Sequence, residues 1–220
     1  MDQLVLPTFS WTAFDATGML PPWWRQEVLA LAARSDDRDF PRTPVISREA
    51  PDVGHVTRGR VHAGQVAEGL PWLRDLYLNG FRELGERAIG GEVRAAADER
   101  YRAVLNVQRG TRMRFECHVD SNPLTGLLFC TDHGPGAGGE LVFGHDEAAR
   151  SLAEVERSCS VLRPQAGHLI FFDGRRCPHY VRPLRSDGDL RVVAVMNYYT
   201  RACQESTRPA ELSRPLHGGR

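Results

Sequence analysis

The stretch RFECHVDSNPLTG, Arg114 to Gly126, sets His118 and Asp120 two residues apart at the end of an apolar, strand-like run. Side chains alternate along a strand, so the two project to one side if extended backbone continues through Val119. An imidazole and a carboxylate placed this way can share one metal ion. A third donor comes from His179 in RRCPHYVRPL, which opens a later apolar run. Two neutral imidazoles and a carboxylate on one face suit an octahedral iron with three positions left open. The same donors serve catalytic zinc, so metal-dependent oxidation and zinc hydrolysis both stay open at this point. The bland alternative for His118 and Asp120 is a polar strand end. His133, His145 and His168 are weaker third ligands, two in turn-rich segments and one just ahead of LIFF.

Downstream, DLRVVAVMNYYT places a charged residue, Arg191, at the head of an otherwise apolar run. By period two, Arg191 shares a face with Val193 and Val195, and an inward arginine needs a buried anion as partner. A dicarboxylate cosubstrate meets that need; a structural carboxylate is the competing partner.

The order of these features, His-x-Asp, then GGEL, a distal His and an Arg twelve residues later, resembles the Fe(II)/2-oxoglutarate-dependent oxygenases. The likeness runs from about Tyr101 to Tyr199 and is nearest to prolyl-hydroxylase-like members and to small amino-acid hydroxylases and halogenases. It implies a double-stranded β-helix (jelly-roll, cupin-like) core, mainly β with supporting helices. It also implies His118, Asp120 and His179 as iron ligands and Arg191 as the guanidinium that takes the distal carboxylate of 2-oxoglutarate, a fork-to-carboxylate match. Gln108 stands where such enzymes often carry Tyr, so Gln108 or Asn106 is expected to contact the cosubstrate instead. The GAGGEL turn, Gly136 to Leu141, is architectural, its glycines permitting positive φ.

The implied cofactors are Fe(II), 2-oxoglutarate and O2, with ascorbate in vitro. Halogenating relatives carry Gly or Ala at the Asp120 position, so hydroxylation of an unactivated C–H bond is the expected outcome. Base-demethylating relatives usually place a second Arg six residues after the first, where this chain has Asn197. The expected substrate is a small molecule, a free amino acid or a biosynthetic intermediate. Prolyl hydroxylation of a peptide or protein is the runner-up; a zinc-dependent hydrolase and a metal-binding sensor are more remote.

These residues need a sheet to hold them. Eight short β-type runs are legible from Tyr101 to Tyr198: 101–107, 113–118, 125–131, 140–143, 160–162, 168–172, 179–181 and 190–198. Turn signals separate them without long amphipathic helices between, which argues for an antiparallel sandwich or barrel. The first half reads as helical support. One helix spans Trp23 to Arg34, with Trp23 and Trp24 as core candidates, and a second runs from Pro71 through Ala88 to a stop at Gly90 and Gly91. Between them, 36–69 reads as a long connection, with HVTRGRVHAG (His55 to Gly64) a solvated loop or a site for a substrate carboxylate. The expected layout is one domain over 1–200, helical support in 1–100 and β core in 101–199, with a poorly ordered polar tail over 201–220.

Bulk composition narrows the function classes. Over 220 residues, 28 Lys plus Arg balance 28 Asp plus Glu, and every one of those cations is Arg. A neutral chain lacks the electrostatic footprint for nucleic acid or anionic membranes, and a lysine-free one has no Schiff-base chemistry. MDQLVLPTFSWTAF carries no signal-peptide pattern, so a cytoplasmic protein is expected. Five cysteines without CxxC spacing argue against a disulfide framework, and Cys117 and Cys130 read as buried thiols.

Overall fold

The structure, a computed structural model, describes residues 11–207 except 42, 45 and 50–54. In chain order the elements are β1 (Trp11–Asp15), α1 (Trp24–Ala32), β2 (Asp36–Pro41), β3 (His55–Val61), α2 (Ala63–Gly69), α3 (Pro71–Leu78), α4 (Gly80–Ile89) and β4 (Val93–Ala95). They continue with β5 (Ala103–Arg109), β6 (Phe115–His118), β7 (Leu124–Phe129), β8 (Leu141–Gly144), α5 (Leu152–Arg157), β9 (Cys159–Leu162), β10 (His168–Phe172), β11 (His179–Val181) and β12 (Leu190–Thr200).

The strands form two antiparallel sheets. The larger is ordered β1-β10-β7-β12-β5-β3-β2, with β4 on the far end of β12, and the smaller β6-β11-β8-β9. Alternation sorts their side chains into two cores. Leu128, Leu169, Phe171, Val192, Ala194 and Met196 face outward and pack with Leu73, Tyr77 and Phe81 of the helices. Leu127, Phe129, Ile170, Phe172 and Val193 face inward and meet Phe115, Leu141, Phe143 and Val181 of the smaller sheet. Two facing sheets with helices on the outside of one make a double-stranded β-helix, mainly β with supporting helices.

All eight runs expected after residue 100 are strands, with ends displaced by a few residues. The first half departs further from its sequence reading. Besides helices it supplies β1 to β4, and the 36–69 stretch holds β2, β3 and α2. HVTRGR is strand, and its Arg58 and Arg60 are buried. The second long helix is two, because the backbone leaves helical geometry at Asn79 (φ −123°, ψ −94°). Both segments still end where the glycine stop was expected, with Gly90 left-handed at φ 67°. Their buried positions Leu73, Tyr77, Phe81 and Leu84 follow helical spacing. Tyr77 also ties them to the sheet, its hydroxyl donating to the Asn197 carbonyl at 2.8 Å and accepting from Ala96 N–H at 2.7 Å.

Trp24 packs against the outer core, whereas Trp23 is 57% exposed. Cys117 and Cys130 are buried free thiols. The start of the polar tail is docked, since the Glu205 carboxylate accepts from Ala97 N–H at 2.6 Å and Asp98 N–H at 3.2 Å. Residues 208–220 lie outside the described residues. Among the described residues no helix is long and apolar enough to cross a membrane.

Candidate metal and cosubstrate site

His118 closes β6 and pairs directly with His179, the first residue of β11. Asp120 lies beyond the strand, yet its N–H donates to the Gly174 carbonyl at 2.8 Å and Val119 N–H to Ile46 at 3.0 Å, so extended backbone persists past His118. The three side chains offer ligand atoms all within 4.8 Å of one another. His118 Nε2 lies 3.5 Å from Asp120 Oδ1, and His179 Nε2 lies 3.8 Å from Asp120 Oδ2.

Backbone carbonyls fix which ring nitrogens face that point. His118 Nδ1 lies 2.8 Å from Glu116 O, and His179 Nδ1 lies 2.8 Å from Cys177 O. A carbonyl only accepts, so each Nδ1 carries a hydrogen and each Nε2 is the nitrogen turned to the centre. Burial, with His118 alongside, pushes His179 down to about 4, which keeps that ring neutral. Burial works against the Asp120 charge, but His179, His118 and the Thr125 hydroxyl outweigh it and hold the carboxyl below its usual range. Burial works against a charged His118 ring, but Asp120 and Glu116 hold its pKa above the usual value. Two imidazole nitrogens and a carboxylate oxygen converging on one point, each ring held by a carbonyl behind it, fit a divalent transition metal.

A polar chain behind Asp120 completes its orientation. Asn122 Nδ2 donates to Leu124 O at 2.8 Å and to Thr125 Oγ1 at 2.9 Å, and Thr125 Oγ1 donates to Asp120 Oδ2 at 2.5 Å. Thr125 was not singled out by the sequence, although it stands five residues after Asp120 at the head of a legible strand. Gly174 was missed as well: a Cβ there would stand 2.2 Å from Asp120 Oδ2. On the opposite edge of β6, Ser47 bridges His118, Arg48 N–H donates to Cys117 O at 2.7 Å, and the buried Glu49 carboxylate takes Arg114 at 2.5 and 2.7 Å together with Cys117 N–H at 2.7 Å. Part of the stretch expected to be a connection therefore splints the strand that carries His118.

The triad lines a cleft between the sheets, and Arg191 lines the same cleft with Asn106, Val193 and Val195. Arg191 is 1% exposed. Its Nε donates to Gly139 O at 2.8 Å, while one terminal nitrogen is buried without a partner. No carboxylate among the described residues forms an ion pair with it, so the structural-carboxylate alternative finds no partner there. Burial pushes its pKa down to about 9, which leaves it charged at neutral pH. The glycine turn does more than connect strands: Gly136, Gly138 and Gly139 all have positive φ (82°, 81° and 75°), and a Cβ on Gly139 would stand 3.0 Å from Arg191 Cδ.

The two expected cosubstrate contacts separate. Asn106 sits opposite Val193 and lines the cleft, with Oδ1 buried and without a partner. Gln108, opposite Arg191, is fully buried, and its Nε2 donates to Met113 O at 2.9 Å and Arg182 O at 3.3 Å. His133 and His145 bond instead to Thr131 and to Ser158 and Ser160, and His168 heads β10 outside the triad. Asn197 donates to Tyr101 O at 2.6 Å, a structural bond.

No protein-family model and no curated protein sequence matches this chain. Solved structures do. SnoN, a non-heme alpha-ketoglutarate-dependent epimerase from nogalamycin biosynthesis, superposes with TM-score 0.64 at 16% identity over 96% of this chain and 84% of its own. HygX from Streptomyces hygroscopicus, solved with nickel, 2-oxoglutarate and hygromycin B, gives 0.58 at 10% identity over 88% and 84%. A prolyl-4-hydroxylase from Pseudomonas putida gives 0.50 at 18% identity over 89% and 95%. The chain has their fold. At these identities the likeness is one of fold, so the chemistry of this chain is argued from its own side chains.

Proposed function

We propose that this chain is an Fe(II)- and 2-oxoglutarate-dependent oxygenase that hydroxylates a C–H bond of a small molecule. His118, Asp120 and His179 hold the metal, and Arg191 anchors the cosubstrate. One observation carries the reading: a buried guanidinium with an unpartnered nitrogen lines the same cleft as a three-donor metal cluster. Leaving a buried donor unmade costs about 1–3 kcal/mol, and more for a charged group, so the arrangement fits a site that an anion completes. A zinc hydrolase would use the same donors but has no need of that cation. When bound, iron with 2-oxoglutarate and O2 supplies the oxidising power and, through decarboxylation of the cosubstrate to succinate, the driving force.

The protein's own work is placement. Asn122 and Thr125 hold the Asp120 carboxylate, and the Glu116 and Cys177 carbonyls hold the two imidazoles. Arg191, fixed by Gly139, offers a fork to a carboxylate, and Asn106 offers an amide beside it. Val193, Val195, Leu127 and Phe172 keep the cleft apolar, which strengthens the charge pairing at its polar points. SnoN, from nogalamycin biosynthesis, and HygX, solved with hygromycin B, support a small molecule as substrate. Hydroxylation rests on Asp120, which fills a coordination position that a halogenating site leaves to chloride.

Incubating purified protein with Fe(II), ascorbate, O2 and 2-oxoglutarate against a metabolite panel, read by succinate and product mass, tests the reading. The expected result is substrate-stimulated succinate with one oxygen added to the product. Substrate-stimulated succinate with product mass unchanged would replace hydroxylation by epimerisation, and no succinate from any member would remove the oxygenase reading.

A further inference from the structure

In the oxygenase reading, the polar side chains that line the cleft divide into those already committed and one that is not. His118, Asp120 and His179 go to the metal, and Arg191 goes to the cosubstrate. Thr125 accepts from Asn122 and donates to Asp120, and the Tyr180 hydroxyl donates to Glu156. Asn106 remains. It lines the cleft from β5, across from Val193 and so beside the strand that carries Arg191, and its Oδ1 is buried without a hydrogen-bond partner.

A side-chain amide has a donor end and an acceptor end, and near-two-fold rotation about its Cβ–Cγ bond turns either one to the cleft. Ionised 2-oxoglutarate, with two carboxylates and a keto group, carries acceptors only. It can take the hydrogens of Nδ2, but it has nothing to give Oδ1. Leaving a buried acceptor unmade is costly, so the amide calls for a second occupant that brings an O–H or N–H. The remaining wall bears on that occupant's charge. Leu127, Leu141, Phe172, Val193 and Val195 give it an apolar surface, and beyond Asp120, Arg191 and the two histidines no charged or titratable group among the described lining residues is left for it except the bonded Tyr180 hydroxyl. A carboxylate or ammonium pressed against such a surface loses its hydration without compensation.

We propose that Asn106 is the specificity-determining contact for the substrate, reading one hydroxyl or amide N–H on a reacting portion that is otherwise uncharged and largely hydrocarbon. The proposal deepens the oxygenase reading and rests on it. An alcohol or a secondary amide supplies the donor that the cosubstrate lacks and brings no charge into the cleft. A free amino acid would bring two, its carboxylate and its ammonium, and neither meets an uncommitted partner on that wall.

Calorimetry of the Mn(II)-loaded protein, with and without 2-oxoglutarate, tests this without turnover. The probes are neutral cyclic and aromatic alcohols and secondary amides, their O-methyl or N-methyl counterparts, and the free L-amino acids. At least one alcohol or amide is expected to bind, with its methylated counterpart weaker by roughly tenfold or more and every free amino acid weaker still. Asn106→Leu and the smaller Asn106→Ala, both saturated with 2-oxoglutarate, should still bind the methylated compound and lose the preference for its parent; binding of the methylated compound also shows that they are folded. Failure of every neutral probe to bind, equal binding of parent and methylated compound to the wild type, tighter binding of a free amino acid, or a preference kept in both variants overturns the assignment. A preference that depends on Asn106 in a protein that binds no 2-oxoglutarate would sink the oxygenase reading and leave the contact standing.

Discussion

The two faces of the large sheet are built to opposite rules. Outward, β12 presents Val192, Ala194, Met196 and Tyr198 to helices, and the packing includes Phe171 against Tyr198 with ring centroids 6.0 Å apart. Inward, the same strand presents Arg191, Val193 and Val195 to the cleft, while β3 turns Arg58 and Arg60 to the inside and Val61 to the outside. Polar groups on the outer face are satisfied: the Tyr77 hydroxyl makes two bonds, and that of Tyr198 donates to Tyr77 O at 3.0 Å. Several inner-face groups are not, with Arg58, Asn106, Gln108 and Arg191 each keeping a buried atom without a partner. One face is packed and bonded throughout its helix contacts, and the other keeps buried donor and acceptor atoms without a partner among the described residues.

Substitutions on the two faces should accordingly fail in different ways. The largest effect is expected at the metal: Asp120→Gly should bring turnover below detection in the succinate assay while the far-UV circular dichroism stays native. Retained turnover would show that Asp120 is no ligand. On the outer face, Phe171→Ala should cost about 3–5 kcal/mol in a urea titration, because a fully buried ring leaves a cavity. Metal affinity of the folded fraction should not change; a weaker metal site in that variant would blur the division between the faces. Thr125→Val keeps the shape and removes the hydroxyl that holds Asp120, with an expected loss of about 10–100-fold in metal affinity and little stability. If affinity is retained, the Asn122 to Thr125 to Asp120 chain is not what orients the carboxylate. Smallest of all, Trp23→Ser at the exposed start of α1 should stay within about 0.5 kcal/mol by denaturation and leave turnover alone.

The sequence made the second half of the fold readable because each strand after residue 100 is short, apolar and bounded by turn residues. The first half hid its strands for a physical reason. In DDRDFP only Phe40 is buried, and in HVTRGRV two of the three inward positions are arginines, so neither stretch alternates apolar with polar in the usual sense. Charged residues in an irregular-looking segment are ordinarily solvated, and only the pairing of β3 with β5 turns them inward. The helix break at Asn79 was equally hidden, since the apolar spacing of Leu73, Tyr77, Phe81 and Leu84 runs straight through it.

The candidate site divides along the same line. His118, Asp120, His179 and Arg191 were legible because metal ligands and a charge inside an apolar strand are rare types at telling spacings. Thr125 and Glu116 are ordinary residue types, and nothing in one sequence says that a given threonine or glutamate is inside. Gly139 was seen as a turn residue, but its carbonyl's hold on Arg191 depends on contact across 52 residues.

The central claim is that Arg191 and the three-donor cluster serve one bound cosubstrate. Titration of 2-oxoglutarate into Mn(II)-loaded protein, wild type and Arg191→Met side by side, tests it most directly. One equivalent should bind to the wild type, and the variant should bind at least about 30-fold more weakly, as expected for truncating one partner of a buried charge pair. Equal affinity in the two proteins, or no binding to the wild type, would contradict the account.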